Sequence, residues 1–229
     1  MKKIGVVTVG QSPRVDVIPE MRKVLGEDVE ILEAGALDDH TLEEVNRLER
    51  KPGEGGLVTR MRDGTEVRVA HRHVVPLVQK RIEELEKKGV ELTLVLCTGG
   101  FPAFKSKNLV VYPSDILRGV VTGAIKRGRL AVVQPSKPQP RGAEAGAGHG
   151  ERRVWGEEVE VIRDGASPYG LEEEVVEMAE RLAKANVDLV FLNCMGFSSR
   201  HKEIVKKKTG KPVIQSNSLV ARVLKELIS

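Results

Sequence analysis

The chain has 229 residues, of which 40% are hydrophobic and 3% aromatic, and its 37 basic and 33 acidic residues leave a net charge of +4. That length holds one large α/β domain or two small ones with a sizeable core. The charge is too small, and the aromatics too few, for the chemistry of a nucleic-acid binder. No early apolar run has the length of a secretory leader or a membrane span, and two widely spaced cysteines do not make a disulfide framework. A cytoplasmic protein is the expectation.

Ile4 to Val9 reads as a first strand. Gly10-Gln11-Ser12-Pro13 then forms a tight loop into a helix from about Arg14 to Leu25, with Ser12 as N-cap and Pro13 at the first helical position. Val29 to Leu32 is a second strand, and Asp38 to Arg50 a polar surface helix. Leu57 to Met61 and Glu66 to Ala70 alternate in period 2 around Asp63-Gly64, the pattern of a hairpin that decorates the main sheet. A helix with Val74, Val78, Ile82 and Leu85 on one stripe ends near Gly89 and leads into the strand Leu92 to Cys97. Ser114-Asp115 starts another helix, which ends at Gly128.

In the second half, Leu130 to Gln134 and Val159 to Ile162 are strands, and Leu171 to Ala185 is a helix. The segment from Pro135 to Gly150 is rich in Pro, Gly and Ala, and reads as a mobile loop or an active-site cover. Val187 to Cys194 is a buried strand. A basic helix, the strand Pro212 to Gln215 and a last helix to Leu227 complete the chain. Strands alternating with helices predict mostly parallel sheets with right-handed crossovers. The expected architecture is α/β, two pseudo-symmetric halves at residues 1–128 and 129–229, with a β-hairpin insertion. The C-terminal helix is free to return to the first half.

Cys97 and Cys194 carry the chemical signal. Each closes a continuously apolar strand of the kind buried in a parallel sheet. Ligands of open α/β sheets bind outside the carboxyl ends of the strands. Cys97 is followed by Thr98-Gly99-Gly100, and Cys194 by Met195-Gly196. Two thiols on opposite sides of a planar intermediate can move a proton from one face of a carbon to the other, one as base and one as acid. A free thiol titrates near 8.5, so a thiolate needs donors around it, and the amides after each cysteine supply them while holding a carboxylate. The competing explanation is that both cysteines simply finish buried strands. Zinc is disfavoured, since two cysteines and His201 do not complete a site.

Further candidates follow strand ends. Thr8, Gln11, Ser12 and Arg14 offer a hydroxyl, an amide and a guanidinium suited to a carboxylate, with a surface ion pair as the alternative for Arg14. Ser136 is their counterpart after the mirrored strand. Ser216 and Asn217 bind a ligand or cap the last helix. His201 reads as a surface helix residue, with polarisation of the Cys194 thiol as the alternative.

The segments Thr8-Val9-Gly10-Gln11-Ser12-Pro13-Arg14, Val111 to Leu117, Cys194-Met195-Gly196-Phe197 with Arg200-His201, and Gln215 to Arg222 together resemble the AroM protein family, within the aspartate/glutamate racemase superfamily. The resemblance implies two α/β halves, a cysteine from each at a cleft, and cofactor-independent proton transfer beside a carboxylate. Those racemases usually continue from the first cysteine through Asn-Thr, and Thr-His commonly follows the second. Here Thr98-Gly99-Gly100 and Met195-Gly196 stand instead, so substrate-positioning contacts differ. The function expected is a racemase or isomerase of a small carboxylate, without cofactor or metal. The alternative is a non-catalytic sensor of a small acid linked to aromatic amino-acid metabolism. No membrane or nucleic-acid partner is expected, and a homodimer is the default oligomer.

Overall fold

The structure is a computed structural model that describes residues 2–51, 54–136 and 154–229. The chain forms two compact units, Met1–Ser114 with Leu224–Ser229, and Asp115–Val223. In the first, β1 (Lys2–Thr8), β2 (Val29–Gly35), β5 (Leu92–Leu96) and β6 (Leu109–Val111) form a parallel sheet in the order β2-β1-β5-β6. In the second, β7 (Gly128–Gln134), β8 (Val159–Gly165), β9 (Leu189–Leu192) and β10 (Val213–Gln215) form a parallel sheet in the order β10-β9-β7-β8. Read from the other edge, the second order is the first one repeated.

The register makes the repeat residue-specific. Lys2 pairs with Val29 as Gly128 pairs with Val159, so β1 and β7 are equivalent from end to end. Val7 pairs with Val95 and Val133 with Leu192, which makes Cys97 and Cys194, two residues further on, occupants of the same position. Gly35 and Gly165 are equivalent too, and for one reason. A Cβ on Gly35 would collide with the Gly10 carbonyl, and one on Gly165 with the carbonyl of Ser136. Ser136 therefore corresponds to Gly10, the residue just before the Gln11-Ser12 pair that the sequence suggests. The helices after the last strands, α4 (Pro113–Ala124) and α7 (Ser216–Leu227), also start at matching positions.

The remaining helices among the described residues are α1 (Ile18–Leu25), α2 (Leu42–Asn46), α3 (His71–Lys87), α5 (Glu172–Lys184) and α6 (Ser199–Thr209). The expected stripe of α3 is buried at Val74, Val78, Ile82 and Leu85, against Val7 and Val95 of the sheet. In the second unit, Val175, Met178, Ala179 and Leu182 of α5 pack with Ala131, Val133 and Val190 in the same way. Each fully buried aliphatic side chain of this kind is worth about 1.5–3 kcal/mol against exposure. The two apolar strands of the sequence are thus the middle strands of two cores.

Three boundaries and one added strand differ from the sequence reading. The first helix begins at Ile18, not Arg14, because the preceding backbone donates elsewhere: Ser12 N–H to Asp38 at 2.7 Å and Arg14 N–H to Glu33 at 2.7 Å. Ser12 is therefore not its cap. The polar helix shrinks from Asp38–Arg50 to five residues, since Asp38 accepts from Ser12 and Gly35, and the real cap is Thr41 in a capping box with Glu44. Ser114 and Asp115 lie inside the first turn of α4. Strand β6 has only three residues, one of them exposed, and its pattern is too short to stand out. The Pro135–Gly150 expectation lies outside the described residues beyond Ser136.

Candidate active site

Both cysteines are thiols rather than disulfide partners, Cys97 half-buried and Cys194 7% exposed. In the first unit, β5 ends at Leu96, and the Gly99 amide turns back to donate to Cys97 Sγ at 3.3 Å. An N–H directed at sulfur favours the thiolate over the thiol. His71, the first residue of α3, bonds the Gly100 carbonyl oxygen through Nε2 at 2.7 Å and rests on the Phe101 ring at 5.0 Å between centroids. The Thr98–Gly100 turn is thus held at both ends.

The hairpin is the part of this site that the sequence did not assign to it. Its strands, β3 (Gly56–Arg60) and β4 (Glu66–Ala70), form their own two-stranded sheet with Asp63-Gly64 in the turn. It packs across the carboxyl ends of the main strands. Arg60 O accepts the Gln11 amide, Arg62 N–H donates to Gln11 Oε1 at 2.9 Å, and Arg62 Nε donates to Ser12 O at 2.6 Å. At the other end, Leu57 Cδ2 lies 2.9 Å from where a Cβ on Gly99 would be. The alternation of Leu57, Thr59, Val67 and Val69 foretold a buried hairpin face, but nothing in it said what that face covers.

The loop after β1 is tied inward. Because Thr8 pairs with Leu96, it starts beside Cys97. Gln11 donates to the carbonyls of Leu37 and His40, and Ser12 Oγ donates to Asp38 at 2.7 Å. Arg14 is 3% exposed, and its Nε and Nη2 grip both oxygens of Asp16 at 2.9 and 2.7 Å while Nη1 donates to Thr8 Oγ1 at 2.9 Å. The ion-pair alternative is therefore present, and it is buried. Burial raises the Asp16 pKa, but the bonds and charge of Arg14 outweigh it and hold the carboxyl below its usual range. Neighbouring Glu33 goes the other way: burial, with the charges of Asp16 and Asp38, outweighs the Arg14 amide and raises it.

In the second unit the same turn is built with other parts. Gly196 is equivalent to Gly99, and its Cβ would meet the Tyr169 ring and hydroxyl at 2.7 Å. Tyr169 comes from the loop after β8, and no sequence pattern pointed to it. From below, Asn217 donates to the carbonyls of Met195 and Phe197 at 3.2 and 3.1 Å and accepts from Gln215, which also bonds Phe197 O. Ser216 Oγ donates to Leu192 O at 2.7 Å. Ser216 and Asn217 are wholly buried in the first turn of α7 and reach the Cys194 turn through its carbonyls. His201 completes a capping box with Ser198, its Nδ1 accepting the Ser198 amide at 3.1 Å and its ring edge-on to Phe197.

The structure thus gathers Thr8, Gln11, Ser12 and Arg14 at the strand end next to Cys97, Thr98, Gly99 and Gly100. It places Met195, Gly196, Ser216 and Asn217 at the Cys194 turn, while the contact seen for Ser136 is with Gly165 at the end of β8. On the basic helix α6, Arg200 and Lys208 are paired with Glu172 and Glu180. Among the described residues, no helix is long and apolar enough to cross a membrane, and no group of three or more His, Cys, Asp or Glu is placed to hold a metal ion.

The fold is shared with solved structures of low sequence identity. An allantoin racemase from Klebsiella pneumoniae superposes with a TM-score of 0.62 at 15% identity, covering 100% of this chain and 88% of its own. A maleate cis-trans isomerase from Nocardia farcinica gives 0.59 at 18%, covering 100% and 93%. A glutamate racemase from Aquifex pyrophilus gives 0.58 at 16%, covering 99% and 84%. No curated protein sequence matches the chain. The family described as AroM protein matches residues 4–228, nearly the whole sequence: the chain belongs to the AroM family.

Proposed function

We propose that this protein is a racemase or isomerase-type enzyme acting without a cofactor on a small carboxylate, with Cys97 and Cys194 as its paired acid and base. The observation that carries the reading is the register: two thiols occupy one position in two copies of one fold unit, each just beyond the middle strand. A duplicated core needs no cysteine there, and each is followed by a glycine that a neighbouring side chain crowds. The fold likeness to racemases and to an isomerase supports the same class.

In this mechanism one cysteine, as thiolate, takes the proton from the carbon beside the carboxylate. The electron pair left on carbon delocalises into the carboxylate, giving a planar species. The second cysteine, as thiol, then delivers its own proton to the opposite face and becomes the thiolate. The Gly99 amide on Cys97 Sγ supports the charged sulfur, and the amides of the Thr98–Gly100 and Met195–Gly196 turns hold the substrate carboxylate. Asn217 acts by fixing the Met195–Gly196 turn, and Arg14 by tying the loop after β1 to Thr8 and Asp16. The test is incubation of the protein with small chiral carboxylates in heavy water. Deuterium should enter at the carbon next to the acid, with loss of optical purity. Tight binding of an acid with no exchange would make the protein a sensor instead.

A further inference from the structure

The two equivalent thiols sit in different surroundings. At Gly196 the crowding group is the phenol of Tyr169. At Gly99, the three nearest atoms to the Cβ position are Leu57 Cδ2 at 2.9 Å, Cys97 Sγ at 3.4 Å and Phe101 Cε2 at 3.8 Å. An aliphatic methyl and an aromatic edge therefore share the space above Gly99 with the first thiol, and Cys97 and Phe101 both pack against the core cluster that contains Leu57. The two arginines at the hairpin turn are engaged elsewhere, Arg62 with Ser12 and Asp38 and Arg60 beside Asp16.

This apolar setting is not required by the fold. The register makes Ser198 the counterpart of Phe101, and there a hydroxyl caps α6. The second unit has no hairpin in place of Leu57 among its described residues. The chain has only seven Phe, Tyr and Trp residues, yet Phe101, Phe104 and Tyr112 run in one half-buried row beside Cys97, with centroids 5.8 and 6.2 Å apart. Phe104 and Tyr112 back the row, the Tyr112 hydroxyl accepting the Phe104 amide at 2.8 Å. Phe101 is its member that reaches the Gly99 turn.

We infer that Leu57 and Phe101 set the specificity of the site for a carboxylate whose other substituent is apolar, an alkyl or aryl group, rather than a second carboxylate. This rests on the reading that Cys97 serves the ligand. A carboxylate pressed against these two side chains would lose its hydration and gain no hydrogen-bond donor from them. Each methylene buried there instead improves affinity about fourfold.

The test compares 2-hydroxy-4-methylpentanoate with malate, which places a carboxylate where the first acid has an isopropyl group, and with lactate, which has only a methyl. Titration calorimetry should show the branched acid bound at least tenfold more tightly than lactate, with malate weakest. Phe101→Arg should invert the order in favour of malate, and Phe101→Leu should keep it. Malate equal to or better than the branched acid on the native protein would overturn the inference, as would an unchanged order in Phe101→Arg. Deuterium exchange separates the two proposals. Branched acid bound without exchange leaves this inference standing and removes the enzyme reading, whereas preferential exchange of malate does the reverse.

Discussion

Replacing Asp16 by Asn should unfold the first unit's loop more than any surface charge change in the chain. Arg14 is 3% exposed and Asp16 16% exposed, and the guanidinium fork meets both carboxylate oxygens. Asn keeps the shape but removes the carboxylate that grips the buried guanidinium, and breaking such a buried pair costs about 3–5 kcal/mol. For a chain of 229 residues each kcal/mol moves the melting temperature by about 2–4 °C, so a drop of about 6–20 °C is expected. Arg14→Met combined with Asp16→Leu removes both charges and should cost no more than Asp16→Asn alone. The acid limb has a matching sign. The folded-state pKa of Asp16 is lowered, so the pair's contribution is complete above the ordinary aspartate range. It is lost as pH falls through the lowered value. Thermal and urea unfolding followed by circular dichroism measure both effects. A melting temperature within about 2 °C of native for Asp16→Asn would refute the buried-pair account.

Other outcomes follow from the same contacts. Gly196→Ala should lower stability by about 1–3 kcal/mol through overpacking against Tyr169, and Tyr169→Ala in the same chain should recover most of it in a urea titration. Asn217→Ala leaves the Met195 carbonyl and the Gln215 side chain short of a partner in a fully buried place. It should cost about 1–3 kcal/mol in the same assay. Glu33 is the reverse of Asp16. Its folded pKa is raised, so the native protein loses stability as pH climbs from the ordinary carboxylate range through the raised value. Glu33→Gln should gain on the native chain across that window and hold a constant margin above it; parallel stability curves would contradict this.

Much of the architecture was legible because burial on both faces leaves an unbroken apolar signature. Leu92–Leu96 and Leu189–Leu192 show it, and both proved to be middle strands, ending one and two residues before a cysteine. The hairpin was equally plain, with period-2 burial at Leu57, Thr59, Val67 and Val69. What misled was capping chemistry. Ser12-Pro13 has the composition of a helix start, but its donors are taken by Asp38 from a segment 26 residues away, and composition cannot display such a bond. The actual cap, Thr41 with Glu44, was hidden inside a longer polar run. Arg14 was found as a residue and missed as half of a buried pair, since Asp16 two positions on looks like any exposed acid. Tyr169, Phe101 and His71 could not be read at all. They matter because loops from distant strands bring them to Gly196, Cys97 and Gly100, and only tertiary structure does that.

The central claim is that the two equivalent thiols divide one proton transfer between them. Its direct measurement is deuterium incorporation and optical inversion of a turned-over carboxylate in heavy water, on the native protein and on Cys97→Ser and Cys194→Ser. Serine is far too weak an acid to act as the base near neutral pH, so each variant should lose inversion altogether. Each should keep exchange only on the enantiomer whose face meets the remaining thiol, and the two variants should select opposite enantiomers. Inversion that survives in both variants would contradict the account, as would exchange of the same enantiomer in each.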